Sequence, residues 1–377
     1  MFPSTKKTAT VGGFIAGGSG GVGSVTYGQL RDRGNVNALR VVTMEAEPRV
    51  LELRGDEGFL GDNANKSAFR AMLENWRKVL RKHGEDPFGD EPTEEISKKT
   101  LDTLLKEGDP EAAGVLHGAI EEFAQELALV ISQFVKLKSW RGVERLAIGG
   151  GFLEARVGEL AIGRTSVILK AQDMDIGIQP IHHVPHEAGL IGAVHLAPSW
   201  MFKGFDAILA VDIGGTNMRA GIVALNLKRA ADLSKAEVKK FELWRHADDK
   251  PKRDEAVERL AKMLDKLIGA ADKEELRLAP FIGIGCPGMI EEDGSIARGV
   301  QNLPGNWTSK GFHLPTALRE AIPTINKHDT TVLLHNDAVV QGLSEVPFMQ
   351  DVKRWGILTI GTGLGNASFV NRGKDAE

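Results

Sequence analysis

Val211-Asp212-Ile213-Gly214-Gly215-Thr216-Asn217-Met218-Arg219-Ala220-Gly221-Ile222-Val223 follows the apolar run Ala207-Ile208-Leu209-Ala210. Apolar residues run up to a glycine pair and resume beyond it, which predicts strand, tight turn, strand. Asp212 stands at the mouth of that turn. Paired glycines let backbone N–H groups approach a bound anion, because no Cβ intervenes. Thr216 and Asn217 add side-chain donors. Asp212 offers a carboxylate where a Mg²⁺ on a polyphosphate would sit. Taken alone, the stretch is read equally well as an ordinary glycine turn. Three later stretches bear on the choice.

The first is Phe281-Ile282-Gly283-Ile284-Gly285-Cys286-Pro287-Gly288, a strand that ends in a Pro-Gly loop. The second is Thr331-Val332-Leu333-Leu334-His335, a strand whose end carries Asn336-Asp337 and runs into a helix from about 338. The third is residues 356–370, a second strand–turn–strand unit with Gly361-Thr362-Gly363-Leu364-Gly365 at its turn. Two glycine hairpins, each with a threonine in the turn, can clamp a polyphosphate from two sides. A carboxylate at a nearby strand end can take a proton from an attacking hydroxyl. Phosphoryl transfer asks for little more than positioning, a metal, donors for the developing charge and a base.

This set resembles the ROK family of sugar kinases and regulators, within the actin/hexokinase-like ATPase superfamily. The match runs over roughly 206–372 and keeps the family's motif order. The resemblance implies an α/β fold of two actin-like (ribonuclease-H-like) lobes, with ATP and Mg²⁺ as cofactors and a sugar as substrate. It makes Asp337 the catalytic base and gives Asn336 the sugar hydroxyls. Gly288, and Asn306 in the loop Gln301–Trp307, become further substrate contacts. Asp212 holds Mg²⁺, through water, while Gly214, Gly215, Thr216, Asn217, Gly361, Thr362 and Gly363 cradle phosphates.

Upstream of residue 206 the pattern is mainly helical. Phe69, Met72, Leu73, Trp76, Val79 and Leu80 recur at helical spacing. A second helix is expected over about 94–107. Asp109-Pro110-Glu111 opens a long helix by an N-cap and a proline at the first turn. Residues 144–149 read as a strand that ends in Gly149-Gly150-Gly151, with a helix near 154–170 beyond it. Another strand is expected at 175–180, and a small-residue helix at 187–196. By the resemblance, the long helix, Gly149, Gly150 and Gly151 facing adenosine, and Ala188-Gly189-Leu190-Ile191-Gly192-Ala193 belong after the second hairpin. The element order is therefore expected to be circularly permuted. Residues 66–197 would supply the nucleotide side of the C-terminal lobe. Residues 206–377 would supply the N-terminal lobe and the second phosphate hairpin. Pairing between two chains in a swapped homodimer is the alternative. The family's Gly-Glu-x-Gly-His and cysteine-rich zinc motifs are not found, and a single cysteine, Cys286, cannot build that zinc site. A non-catalytic sugar or nucleotide sensor on the same scaffold is thus a second reading.

Residues 8–28 are glycine-dense, with Gly17-Gly18-Ser19-Gly20-Gly21-Val22-Gly23-Ser24 and Tyr27-Gly28. Residues 39–53 read as a hairpin turning at Glu47-Pro48. Together, residues 1–55 resemble a fragment of a PCMH-type FAD-linked oxidase. That implies either an FAD-binding oxidoreductase fragment or a remnant that only supplies strands to the neighbouring lobe.

His182, His183, His186 and His195 raise a metal reading. Pro185 is expected to break any helix there, and no carboxylate or cysteine completes a set. A net charge of −4 gives no global basic field for nucleic acid or an anionic membrane. No apolar run reaches the roughly 18 residues of a membrane span, and one thiol suits a reducing cytoplasm.

Overall fold

The computed structural model describes residues 46–49, 54–55, 58–84, 86–300 and 302–371. The glycine-dense run 8–28 and most of the expected hairpin at 39–53 lie outside the described residues.

The strands used below are β1 (Ala46–Arg49), β2 (Arg145–Gly149), β3 (Gly177–Pro180), β4 (Ala207–Ile213), β5 (Met218–Ala224), β6 (Glu237–Trp244), β7 (Leu278–Cys286), β8 (Thr331–Asn336), β9 (Arg354–Ile360) and β10 (Leu364–Asn371). The helices are α1 (Lys66–Arg81), α2 (Lys98–Glu107), α3 (Pro110–Lys136), α4 (Arg156–Ala171), α5 (Pro185–Gly192), α6 (His246–Asp249), α7 (Arg253–Lys273), α8 (Leu314–Ala321) and α9 (Asp337–Leu343).

Two five-stranded sheets organise this mixed α/β fold. One has the order β8-β7-β4-β5-β6 and is built from residues 207–336. The other has the order β1-β10-β9-β2-β3 and draws strands from both parts of the chain. In it, β9 pairs in parallel with β2, Leu358 opposite Ile148, across about 210 residues of sequence. β9 also pairs antiparallel with β10 to form the second glycine hairpin.

The helices follow their sequence signals closely. The Asp109 side chain accepts from the Glu111 amide, and Pro110 occupies the first turn of α3. Val115, Leu116, Phe123, Leu127, Ile131 and Phe134 along α3 are buried against α1, α4, β2 and β9. On α1, Phe69 and Leu73 are buried as their spacing predicts. Trp76 and Val79 are instead exposed, because they lie at the edge of the apolar stripe.

One local expectation is corrected. Glu47-Pro48 is not a turn but lies within β1, with Pro48 opposite Phe369 of β10. β1 is an edge strand, the setting in which a proline costs no ladder hydrogen bond. Between β1 and α1 the described residues hold a short strand at Gly58–Phe59 and a 3-10 turn at Leu60–Ala64. Pro185 begins α5, where its missing N–H is unneeded, so no helix spans His182 and His186, as expected.

A single apolar cluster joins the two sheets. It includes Leu190 of α5, Val340 and Leu343 of α9, Ile208 of β4 and Phe369 of β10. α5 and α9 meet at a glycine: a Cβ on Gly192 would stand 1.7 Å from the Val340 carbonyl oxygen. Nothing larger than glycine permits that approach. It fixes α9, and with it the strand end at Asn336-Asp337, against the segment that precedes β4. Among the described residues no helix is long and apolar enough to cross a membrane.

Candidate functional site

The site lies where the carboxyl ends of β4, β7 and β8 line up. Asp212 pairs in register with Gly285, and Gly285 with His335. Asp212 and the residues beside Asp337 are thus two strand spacings apart, roughly 10 Å. Clefts at the carboxyl ends of parallel strands are where α/β folds place ligands.

Asp212 is held on two sides. Arg219, opposite it across the hairpin, donates Nη1–H to Oδ2 at 3.1 Å. A Cβ on Gly189 of α5 would stand 2.9 Å from Oδ1. Burial raises the Asp212 carboxyl above the ordinary aspartate value, and Arg219 opposes the rise. Asp337 opens α9. Burial first, and the nearby Asp212 charge second, push its carboxyl up to about 7. Two acids sharing one desolvated cleft repel, and that repulsion favours protonating one of them. The buried Cys286 thiol is pushed well up by burial and by both carboxylates, so it stays protonated.

The first glycine turn closes on itself, the Gly214 amide donating to the Asn217 carbonyl at 2.8 Å. The Gly215 and Thr216 amides have no hydrogen-bond acceptor among the described residues. They are therefore available to an anion. A buried histidine steadies the turn from behind: His246 Nε2–H donates to the Gly214 carbonyl at 2.8 Å. The Ala247 amide donates to the Thr216 carbonyl at 3.3 Å. His246→Ala is expected to speed amide hydrogen exchange over 214–217 by about tenfold, the loss of roughly one hydrogen bond. Amides in α3 should be unaffected, and unchanged rates at 214–217 would show that the turn holds without the imidazole.

The second turn has a similar plan. The Gly361 amide donates to the Gly363 carbonyl at 2.9 Å, and the Gly361 carbonyl accepts from the Lys66 amide of α1 at 3.0 Å. The two hairpins meet, with Thr216 Oγ1 and Thr362 Oγ1 3.4 Å apart. The three glycines after β2 reach the same place. Gly149 opposes Thr359 of β9. Gly150 has φ +89°, and a Cβ there would fall 2.4 Å from the Ile360 carbonyl oxygen. Gly149 faces Gln341 of α9, one turn beyond Asp337. All three glycine stretches named from the sequence thus converge around Asp337.

The expected sugar contacts are placed less simply. Asn336 Oδ1 caps α9, accepting from the Ala338 and Val339 amides, while its Nδ2–H donates to the Gly288 carbonyl at 2.8 Å. This side chain binds the helix start to the Pro-Gly loop and leaves one N–H to offer. Position 288 requires glycine twice over: its φ is +97°, and a Cβ would meet the Arg298 carbonyl oxygen at 2.3 Å. Asn306 Oδ1 is engaged locally by the amide and hydroxyl of Thr308. The loop residue that reaches the first hairpin is Asn302, whose Cβ lies 3.0 Å from where a Cβ on Gly215 would be.

Sequence reading missed Arg219, Gly189, His246 and Asn302. Only Arg219 left a signal, since a four-residue turn at 214–217 puts it directly across from Asp212. The histidines also differ from expectation, because carboxylates distant in sequence reach them. Glu345 accepts from His182 at Nδ1 (2.6 Å) and at the amide, and Glu154 lies 3.1 Å from His186 Nδ1. The two histidines face different carboxylates. Among the described residues no group of three or more His, Cys, Asp and Glu side chains is arranged to hold a metal.

Residues 208–374 match the family model described as the ROK family. No curated protein matches the chain. Among solved structures it is similar to the ROK hexokinase from Thermus thermophilus, at 22% identity and a TM-score of 0.30, over 42% of this chain and 45% of that one. It is also similar to a ROK family glucokinase from Streptomyces griseus in complex with glucose and AMPPNP, at 19% identity and a TM-score of 0.32, over 44% and 46%. The chain therefore spans less than half the length of either structure. The residues that match the ROK family model include both glycine hairpins and the Asn336-Asp337 strand end.

Proposed function

We propose that the chain transfers the γ-phosphoryl group of ATP to a hydroxyl of a sugar, as a glucokinase-like ROK enzyme would. The observation that carries this reading is the meeting of two glycine hairpins beside a buried carboxylate poised near neutrality. The Streptomyces griseus structure, which carries glucose and AMPPNP, agrees with it by analogy only.

In this reading Asp337 accepts the proton of the attacking hydroxyl. A base works best when its pKa lies near the working pH, and burial in this cleft supplies that. The free amides of the two turns, with Thr216 and Thr362, hold the phosphate oxygens. Gly149, Gly150 and Gly151 leave room for the adenosine. Asn336 offers its remaining N–H, and Asn302 joins Asn306 as a candidate from the covering loop.

Mg²⁺ fits the donor set. Two carboxylates and no closed cage suit an ion that keeps most of its waters and takes the rest of its shell from phosphates. Asp212 would hold it, through water, and the ion would neutralise charge on the phosphates. Arg219 and Gly189 fix the carboxylate's orientation for that task.

We further propose that the element order is permuted, residues 66–197 completing a lobe begun by β9 and β10. The parallel pairing of β9 with β2 supports this.

The test is ADP release from Mg-ATP over a panel of hexoses and N-acetylhexosamines. Release that depends on the sugar supports the kinase. ATP binding with no release from any sugar would replace it with a nucleotide or sugar sensor.

A further inference from the structure

Three basic residues border the three glycine stretches. Lys66 is the first residue of α1, and its own amide holds the Gly361 carbonyl at the second hairpin. Lys98 is the first residue of α2, and its Nζ lies 3.7 Å from the point a Cβ on Gly151 would occupy. Arg245 directly precedes His246 and Ala247, which hold Gly214 and Thr216 of the first hairpin. The hairpins themselves touch, and the Lys66 ammonium feels the charges of both Lys98 and Arg245. Lys66 and Lys98 lie outside the segment that matches the ROK family model.

Their partners differ. Lys98 is paired with Glu154 at 2.6 Å, and Glu154 is shared with His186. Arg245 is paired with the exposed Asp248 at 2.9 Å. Nearby Arg70 is fixed by the Thr93 and Ile96 carbonyls, at 2.8 and 2.6 Å. Lys66 has no carboxylate within salt-bridge distance among the described residues. Burial, then the charges of Arg70 and Lys98, hold its ammonium below the ordinary lysine value; Glu94 opposes this and Arg245 adds to it. Like charges held together beside glycine turns with free amides are relieved by a multivalent anion.

We infer that Lys66, backed by Lys98 and Arg245, is a polyphosphate-binding cation that grips the nucleotide between the two hairpins. This rests on the kinase reading for the identity of the ligand, but the cation site itself does not.

Titration of the full chain tests it, with Mg-ATP, AMP and inorganic tripolyphosphate as separate probes. Lys66→Ala should weaken ATP and tripolyphosphate about tenfold, the effect of one charge-assisted contact, and leave AMP within about twofold. Lys66→Arg should recover most of the loss. ATP affinity in Lys66→Ala within about twofold of wild type would overturn the inference and spare the kinase reading. So would a parallel loss of AMP. Wild-type protein that binds tripolyphosphate but not ATP would keep the cation site and remove the nucleotide reading. Binding of neither would remove both.

Discussion

Asp337→Asn is expected to lower sugar-dependent ADP release by about a thousandfold, the middle of the range for a general base. The same substitution should raise the melting temperature at pH 8 by a few degrees. The two effects share one cause. Burial and the Asp212 charge raise the folded-state pKa of Asp337 to about 7. A carboxyl whose folded pKa lies above its unfolded value binds more protons in the folded state. Its favourable contribution is complete below the unfolded pKa and is lost as pH rises through about 7. Above that, the wild type carries a buried charge that the amide does not. Wild-type kcat/KM should therefore fall as pH drops below about 7, while the stability difference from Asp337→Asn should widen as pH rises. A variant with full activity would remove Asp337 from the chemistry. A variant less stable than wild type at pH 8 would contradict the account of its burial.

Gly192→Ala should have the largest structural effect, about 3 kcal/mol or more of lost stability. The added methyl would stand 1.7 Å from the Val340 carbonyl oxygen and 3.2 Å from the Ser344 amide. Both are backbone atoms of the α9 segment, so no side-chain rotation relieves the clash. α9 or α5 must move, and α9 begins at Asp337. Activity should then fall even in protein that remains folded. Gly163→Ala is the matched control. It lies in α4 with nothing within 4 Å of the added carbon, and should be neutral or stabilising by up to about 1 kcal/mol. Urea midpoints measure both. Equal midpoints for the two variants would show that the α5–α9 contact is not close-packed.

Local patterns carried most of what could be read from the sequence. Glycine-rich turns between apolar runs marked both hairpins, and Asp109-Pro110 marked the start of α3. The strand end at Asn336-Asp337 was visible because an apolar run stops at two polar residues. What the chain hid was long-range. Nothing in residues 145–149 names residues 354–360 as the neighbouring strand, because parallel register is set by packing between distant segments. For the same reason nothing local to His246 or Lys66 points to the glycine turn that each one holds. Proline was misread at Pro48, because its cost depends on whether its missing N–H had a partner to lose. Asn306 drew attention by residue type, yet its side chain closes its own turn while Asn302 reaches Gly215.

Hairpins from two separate parts of the sequence are proposed to hold one polyphosphate jointly beside Asp337. A crystal structure of the full chain with Mg²⁺ and a non-hydrolysable ATP analogue tests it most directly. The phosphates should lie within hydrogen-bond distance of the Gly215 and Thr216 amides on one side and the Thr362 and Gly363 amides on the other. Phosphates bound at one hairpin only, or away from both, would contradict it.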